Sequence, residues 1–418
     1  MKNLLKTAFL LLALSLNAFA QTTAPPPPTD DDPEPIPGEY IVLLKETAAM
    51  PTIMQQTTPN EDRVAGAANS QRATEANLAI VRAVAAQNGI PTTAILEEFA
   101  DVIVGFAATL SPDQVARLQA DPSVEEVEPD HFVGLGALEF YENPCTESEA
   151  MMPQSTPCAV TKAGGPANGS GKSTWIWILD TGIDLDHPDL NVQTNGTYAK
   201  SFVSGESVND GHGHGTHVAG IAAAKNNSVG SVGVSAGATV VPVKVLNNSE
   251  GKGKLSKIVK GLDHVAKNYL RNDVVNMSLG SHGWKDCKNK KKSYRKAIEN
   301  LTAKEVHVVI AAGNQGSCSI NSLPACYNGT RIYTVGAILC NNNCSGYNWG
   351  SNVDWVAVGV DVYSTYKGGG YGTMSGTSMA TPVVSGIIHA RAGAPLSAGN
   401  VTCGNGCAAN LSYKIAKR

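Results

Sequence analysis

Five continuous apolar runs, without regular alternation of polar positions, follow residue 135. Such runs are typical of strands buried on both faces, as in a parallel sheet. Helical patterns lie between them near 215–224, 255–270 and 293–304, and another begins at about 378. This alternation predicts an α/β domain over residues 150–418 with a doubly wound, mostly parallel sheet. The runs are TWIWILD (174–180), TVVPVKVL (239–246), DVVNMSL (273–279), VHVVIAA (306–312) and IYTVGAI (332–338).

Residues 38–135 show a different order of elements. The strand YIVLLK precedes a predicted helix over 70–87, and the strand VIVGFAATL leads to Ser111, which should cap a helix with Pro112 at its first position. The closing strand VEEVEPD completes the order β, α, β, α, β, with room for one more strand. We therefore expect a small α+β domain here, joined to the second domain through residues 136–149.

The amino terminus carries a targeting signal. Lys2 and Lys6 precede a short apolar run, which ends in the small-residue pattern Ala18-Phe19-Ala20. This pattern predicts a signal peptide over residues 1–20, with an apolar part too short to span a membrane. The acidic, proline-rich residues 21–37 should form an extended linker. We expect a secreted, extracellular product.

Composition adds limits on partners and on redox state. The net charge of −4 gives no reason to expect nucleic-acid binding, and we expect a monomer without membrane attachment. Nine cysteines fit an oxidising compartment. We expect short-loop disulfides rather than metal ligation, because no histidine stands at matching spacing near these cysteines. The expected pairs are Cys318–Cys326, Cys340–Cys344 and Cys403–Cys407, and Cys145, Cys158 and Cys287 are left unassigned.

Several polar residues stand at the predicted ends of strands and helices, where ligands bind in open α/β sheets. Asp180 ends the first apolar run, Asn314 follows the fourth, and Ser378 lies beside a helix amino terminus. The stretch GHGHGTHVAG (211–220) adds three histidines. Each feature alone is more often a cap or a turn, and the histidines alone could suggest a metal site.

Four motifs taken in order are far more specific. DTGID (180–184), HGTHVAG (214–220), AAGN (311–314) and GTSMATP (376–382) resemble those of the subtilisin-like serine proteases. The resemblance covers nearly all of residues 150–390, and residues 38–135 resemble the inhibitor-type propeptide of these enzymes. It implies a self-inhibited zymogen that acts on protein or peptide substrates, with its own propeptide as intramolecular inhibitor and folding aid.

The resemblance also implies roles for single residues. Asp180, His214 and Ser378 correspond to the catalytic aspartate, base and nucleophile, and Asn314 to the oxyanion-hole side chain. A serine hydroxyl is a weak nucleophile near neutral pH, so a base must take its proton, and the tetrahedral oxyanion needs preorganised donors. No catalytic cofactor is expected. Propeptide cleavage should fall between about Gly134 and Pro153.

Two segments match the family's substrate-binding strands, and a pocket for large apolar P1 side chains is expected because neither carries a charge. Ser281 and His282 depart from the glycine common at this point in relatives. Lys252 and Lys254, in the loop that shapes S2 and S4, could favour acidic side chains or could be solvated, as could the basic run 285–296. The two matched segments are Ser278, Leu279, Gly280 and Ala311, Ala312, Gly313.

A structural calcium site is a further implication. Gln154, Asp189 and Asn227, with the loop KNNSVGS (225–231), match the family's strong site, and oxygen-only ligands suit Ca²⁺.

Three other functions would each fit part of this pattern. A catalytically dead binding protein would typically have lost one of Asp180, His214 and Ser378, and an esterase of the α/β-hydrolase type would carry G-x-S-x-G. A metal hydrolase would use the three histidines together. The resemblance instead makes His214 the base, with His217 packed one turn into a helix and His212 a loop residue whose loss should matter little.

Overall fold

The computed structural model of the 418-residue chain describes residues 32–46, 63–136, 139–141, 153–404 and 411–418, with the backbone alone at 63–70 and 139–141. The predicted signal peptide, most of the linker and residues 142–152 lie outside the described residues. In the described part of the chain, none of the helices combines the length and apolarity needed to cross a membrane.

The amino-terminal unit (residues 38–135) contains a four-stranded antiparallel sheet in the order β4-β1-β3-β2. Ser111 caps the second helix as predicted: its hydroxyl accepts the backbone N–H of Gln114, whose side chain accepts the N–H of Ser111 in return. The order of elements is the predicted one, and β2 is the additional strand for which the prediction left room. The elements are β1 Pro35–Leu44, α1 Arg63–Gln87, β2 Ile95–Phe99, β3 Gly105–Thr109, α2 Pro112–Ala120 and β4 Val124–Gly134.

The second part of the chain is organised around a ten-stranded sheet. Its five central strands correspond to the five apolar runs, and neighbouring central strands pair in parallel. They are β7 Ile176–Asp180, β11 Thr239–Lys244, β13 Val274–Met277, β15 His307–Ala311 and β17 Ile332–Ile338. The sheet order is β21-β22-β18-β17-β15-β13-β7-β11-β8, with β9 also on β11; the outer strands are β8 Asn191–Val192, β9 Lys200–Ser201, β18 Trp355–Val358, β21 Leu396–Cys403 and β22 Leu411–Lys417.

The helices belong to two hydrophobic clusters, and successive side chains of β7 alternate between these clusters. Ile176 and Ile178 join the cluster formed with α4 and α7, and Trp177 and Leu179 join the one formed with α5 and α6. All four side chains are fully buried, which is why this run lacks polar alternation. The helices are α3 Cys158–Lys162, α4 His214–Ala223, α5 Leu255–Asn268, α6 Lys292–Ala303 and α7 Thr377–Arg391.

Most of the shorter strands lie in small sheets outside the ten-stranded sheet. The hairpin β19–β20 lies ahead of α7, and β5 pairs with its second strand. The remaining strands are β5 Glu139–Tyr141, β6 Ala167–Asn168, β10 Ser235–Ala236, β12 Lys252–Lys254, β14 Ser281–His282, β16 Ser322–Leu323, β19 Val362–Tyr366 and β20 Gly370–Ser375.

The predicted disulfide pairing is wrong. Four of the predicted cysteines bond to other partners, and two of the unassigned cysteines take part in bridges, whereas Cys145 and Cys407 lie outside the described residues. The fold brings together cysteines that are 182, 39 and 59 residues apart, so sequence proximity did not identify the pairs. The bridges are Cys158–Cys340, Cys287–Cys326 and Cys344–Cys403, and Cys318 is also disulfide-bonded.

Candidate active site

Asp180 and His214 form the centre of the site. Asp180 is the last residue of β7 and His214 the first of α4, and both are fully buried. The Nδ1 of His214 lies 2.7 Å from the Oδ1 of Asp180. The helix approaches the strand this closely because Gly215 has no side chain: a Cβ there would lie 2.0 Å from the carbonyl oxygen of Gly182.

Asp210 organises the loop ahead of His214, a role that the sequence interpretation missed. Its Oδ1 accepts the backbone N–H groups of His212 and Gly213 at 2.9 and 2.8 Å. The same oxygen accepts the hydroxyl of Thr181, which follows Asp180 in the chain. The Oδ2 accepts the N–H and hydroxyl of Thr216 in the first turn of α4. One buried carboxylate therefore fixes both the loop and the helix start.

Ser378 is the second residue of α7, where the helix dipole favours developing negative charge. Its hydroxyl donates to the carbonyl of Ser278 at 3.3 Å. The Nε2 of His214 has no hydrogen-bond partner among the residues that the structure describes. Transfer of this hydroxyl proton to His214 would require the hydroxyl to leave the carbonyl, and catalytic hydrogen bonds commonly tighten only when substrate is engaged.

The side chain of Asn314 is held through its oxygen. Its Oδ1 accepts both the backbone N–H and the hydroxyl of Thr377 at 2.9 Å. The hydroxyl of Thr377 in turn accepts the N–H of Gly313 at 3.0 Å. Because the oxygen is occupied, the amide nitrogen is left to donate to another group, as an oxyanion hole requires.

The end of β4 occupies a cleft beside these residues as an added strand. Gly134 and Gly280 exchange two backbone hydrogen bonds of 3.0 and 2.8 Å, and the N–H of Leu135 donates to Gly251 at 3.2 Å. Gly136 follows in the same cleft, which Asn314 and Ser378 also line. Beyond it, β5 pairs with β20 just before α7. The chain is therefore held as strands on both sides of Gly136.

The predicted substrate-binding residues divide into two groups. Leu279, Gly280, Ala311 and Gly313 line the cleft. Two do not, because their polar groups are engaged elsewhere: Ser278 donates its hydroxyl to the carbonyl of Ser378, and Ala312 bonds through its N–H to Val335 and through its carbonyl to Asn348.

Polar side chains form part of the lining of the cleft. His282 lies 2.8 Å from the hydroxyls of both Ser322 and Ser317. The Oε1 of Gln315 accepts the N–H of Asn314 at 3.1 Å, and a Cβ on Gly136 would lie 3.0 Å from the Nε2 of Gln315. Leu279, Ala311 and Leu323 line the same cleft, so polar and apolar side chains both face a bound chain there.

The three histidines of the motif have separate surroundings. His217 is fully buried, its Nε2 lies 3.1 Å from the carbonyl oxygen of Gly372, and burial lowers its pKa to about 3. Burial also lowers the pKa of His212, whose ring centre lies 6.5 Å from that of His214. In the described part of the chain, no group of three or more His, Cys, Asp or Glu side chains is arranged to hold a metal ion.

Gln154, Asp189 and Asn227 do come together around the loop 225–231. The Oδ1 of Asp189 accepts the amide of Asn227 at 2.8 Å, and the amide of Gln154 donates to the carbonyls of Lys225 and Ser231 at 2.9 and 3.2 Å. Asp189 is fully buried, and burial raises its pKa to about 6. These groups supply side-chain and carbonyl oxygens, which fit a hard cation once the two amides turn their oxygens inward.

Comparison with known proteins supports the same assignment over both parts of the chain. Residues 171–391 match the model of the subtilase family, and residues 39–135 match that of peptidase inhibitor I9. M-protease of Shouchella clausii (strain KSM-K16) is 39% identical over 299 residues, which cover 70% of each chain. Subtilisin E of Bacillus subtilis (strain 168) is 38% identical over 288 residues, 67% of this chain and 68% of that protein.

Among solved structures, a cold-adapted subtilisin-like serine proteinase is 29% identical, with a TM-score of 0.49, and the match covers 60% of this chain and 90% of that one. The family models and the curated relatives carry the conclusion. The chain belongs to the subtilase family: it is a subtilisin-like serine endopeptidase with a peptidase-inhibitor I9 propeptide ahead of its peptidase domain.

Proposed function

We propose that Ser378, His214 and Asp180 form the catalytic triad of this endopeptidase. His214 takes the proton of Ser378 as the hydroxyl oxygen bonds to the peptide carbonyl carbon, and gives that proton to the leaving amine as the C–N bond breaks. Water then hydrolyses the acyl-enzyme by the reverse proton path. The observations that carry this proposal are the buried 2.7 Å contact between Asp180 and His214 and the place of Ser378 in a cleft that holds a peptide strand.

The oxyanion of each tetrahedral intermediate would be bound by the side-chain amide of Asn314 and the backbone N–H of Ser378. The bonds from Thr377 to the Asn314 oxygen support this role, because they orient the amide before the charge develops. Asp180 would hold the imidazole of His214 in one orientation and stabilise its cation.

We propose that maturation cuts the bond between Gly136 and Ala137, within the interval expected from the sequence. Gly136 lies in the cleft with Ser378, and its flanks are paired with Gly280 on one side and with β20 on the other. Cleavage there would divide the chain into a propeptide ending at residue 136 and a peptidase domain with a doubly wound sheet. The first twenty residues would direct export.

Calcium is proposed as a structural ion of the mature enzyme. Gln154, Asp189, Asn227 and the carbonyls of residues 225 and 231 would hold it, and its charge would compensate the buried carboxylate. The ion would tie the start of the mature chain to the loop after α4. It would take no part in the reaction.

Substrate selection at P1 can be resolved with a series of fluorogenic peptides. A broad preference with apolar P1 remains our prediction from the family. Three polar side chains of a mixed lining, His282, Gln315 and Ser322, support the alternative of small or hydrogen-bonding P1 side chains. Peptides that differ only in Phe, Gln or Gly at P1 separate these outcomes by kcat/KM.

The decisive experiment compares wild-type precursor with Ser378→Ala. The variant should remain an uncut, folded precursor without peptidase activity, whereas wild type should release a fragment that begins at Ala137. The expected size of the loss is that known for subtilisin, in which removal of the catalytic serine lowers kcat about 10⁶-fold. The matched variant Ser397→Ala, in exposed strand β21, should mature normally. Full activity of Ser378→Ala would overturn the assignment.

A further inference from the structure

The charge of this chain is divided unevenly along its length. Residues 21–136 carry 18 acidic and 5 basic side chains, whereas residues 137–418 carry 25 basic and 18 acidic ones. Thirteen of those basic residues fall between 252 and 296, against three acidic residues in the same segment. Although the overall charge is small, residues 252–296 therefore form a basic segment. It runs from β12 through α5 to the start of α6.

The helices of this segment have no caps of their own. Within the described residues, neither Lys254 ahead of α5 nor Lys291 ahead of α6 makes a side-chain capping bond, and neither first turn contains an acidic residue. Both helix starts therefore present free N–H groups and the positive end of a dipole.

Two carboxylates of β4 occupy these helix starts. Asp130 accepts the N–H and the hydroxyl of Ser256 in α5 at 3.1 and 2.5 Å. Glu128 accepts the hydroxyl of Ser293 in α6 at 2.5 Å and its N–H at 3.3 Å. Residues two apart on a strand point the same way, so one strand reaches both helices.

Lysines around the helix starts bind further carboxylates of the same precursor. Lys292 and Lys296 contact Glu125 at 2.8 and 2.6 Å, and Lys290 contacts Asp32 at 2.8 Å. Lys254 contacts Glu39 at 2.7 Å, and Lys257 pairs with Glu97. Loss of the amino-terminal unit would leave these cations without those carboxylates.

We propose that this surface is an exosite of the mature peptidase that binds acidic polypeptide on the amino-terminal side of the bond to be cut. The exosite is formed by Ser256, Lys290, Lys292, Ser293 and Lys296. It rests on the proposed function, including the cut after Gly136. Counted from Gly136 as P1, Asp130 is P7, Glu128 is P9 and Glu125 is P12, so substrates with Asp or Glu at these positions should be preferred.

An acidic polypeptide fits this surface better than a nucleic acid does. Glu125, Glu128 and Asp130 belong to one extended strand that runs directly into the cleft, so occupation of the exosite and of the active site is continuous. Serine hydroxyls and helix N–H groups together match single carboxylates at a spacing of two residues. Charge attraction of this kind is partly screened by salt.

The test uses mature enzyme and two fluorogenic peptides. One has the sequence of residues 124–141, and the other has Gln at the positions of Glu125 and Glu128 and Asn at that of Asp130. The ratio of their kcat/KM values should be about tenfold in favour of the acidic peptide at low ionic strength, and should approach one near 1 M NaCl. Equal values at low salt would overturn the exosite, whereas cleavage of neither peptide would overturn the proposed function.

Enzyme variants locate the effect. Lys290→Gln, Lys292→Gln and Lys296→Gln combined should reduce the ratio to near one. The matched variant Lys162→Gln, Lys200→Gln and Lys417→Gln removes the same charge from exposed positions elsewhere and should keep the ratio. An equal reduction in both variants would show a general charge effect and contradict the exosite. Stronger competition by a short duplex DNA than by poly-glutamate of equal charge would contradict the choice of partner.

Discussion

Ser278 and Ser378 exchange hydrogen bonds between their side chains and main chains. The hydroxyl of Ser278 donates to the carbonyl of Ser378 at 2.9 Å, and the hydroxyl of Ser378 donates to the carbonyl of Ser278 at 3.3 Å. The first bond has a clear origin. Four residues after Ser378 stands Pro382, which has no N–H to complete the helical bond, so Ser278 supplies the missing donor.

Ser278→Ala should lower kcat about tenfold with little change in KM, because a buried carbonyl next to the nucleophile loses its donor. Adding Pro382→Ala returns an N–H to the helix and should recover part of the loss. Steady-state kinetics on one peptide compare Ser278→Ala, Pro382→Ala and the double variant. If the kcat of the double variant equals the value expected when the two single effects are independent and multiply, the proline explanation is wrong.

Thr377→Val should lower kcat about tenfold, because it removes the hydroxyl that holds the oxygen of Asn314 and accepts the N–H of Gly313. Thr377→Ser keeps the hydroxyl and should retain most of the activity. Asn314→Leu removes the donor itself, so its loss should be larger, about 10²–10³ in kcat. Equal kinetics for the Val and Ser variants would exclude this positioning role.

Calcium should stabilise the mature enzyme through Asp189. The test uses the inactive Ser378→Ala protein after its propeptide has been cut in trans by the wild-type enzyme. Removing the ion with a chelator should lower the melting temperature of this protein, and adding Ca²⁺ back should restore it, because an ion that binds only the folded state stabilises that state. With Asp189→Asn the response to Ca²⁺ should be weak or lost. The exposed carboxylate change Glu250→Gln is the control; a matching loss of response there would argue against the site.

Acid should destabilise the fold through His307. This imidazole is buried beside Arg331, whose guanidinium donates to its Nε2 at 2.9 Å, and burial followed by that charge lowers the His307 pKa to about 4. In the unfolded chain a histidine has a pKa of about 6.5, so the unfolded state takes up the proton first as the pH falls. The free energy of unfolding is therefore unaffected by this group above pH 6.5 and decreases between pH 6.5 and pH 4, by about 3 kcal/mol in all.

Urea unfolding of the Ser378→Ala precursor from pH 7.5 to pH 4 measures this dependence. His307→Gln should make the curve less steep, and Arg331→Gln should do so by a smaller amount because burial remains. A slope unchanged by His307→Gln would assign the acid sensitivity to other buried histidines.

The main strands and the positions of the motif residues at the ends of elements were predictable because local pattern determines them. Buried parallel strands need continuous apolar residues, and all five predicted runs contain strands. The motif residues stand where β7 ends and where α4 and α7 begin, as their neighbouring glycines and turn residues indicated.

Long-range partners were not predictable in the same way. Asp210 joins its own loop to Thr181, 29 positions earlier in the chain, through a hydrogen bond that no periodicity of the sequence indicates. Cys158 pairs with Cys340 because α3 packs near β18, next to the strand that leads to Cys340, and 182 residues separate the two. The role of Lys290 depends on Asp32, 258 positions away, so the local sequence of the basic run does not reveal its partner.

The uneven division of charge has a consequence for the molecule in solution. By formal count, the precursor without residues 1–20 carries −6, and the part after Gly136 carries +7. Maturation would therefore reverse the direction of migration in an electric field near neutral pH. The zymogen would bind an anion exchanger and the released enzyme a cation exchanger, so one cut would change every non-specific association of the protein with charged surfaces around it.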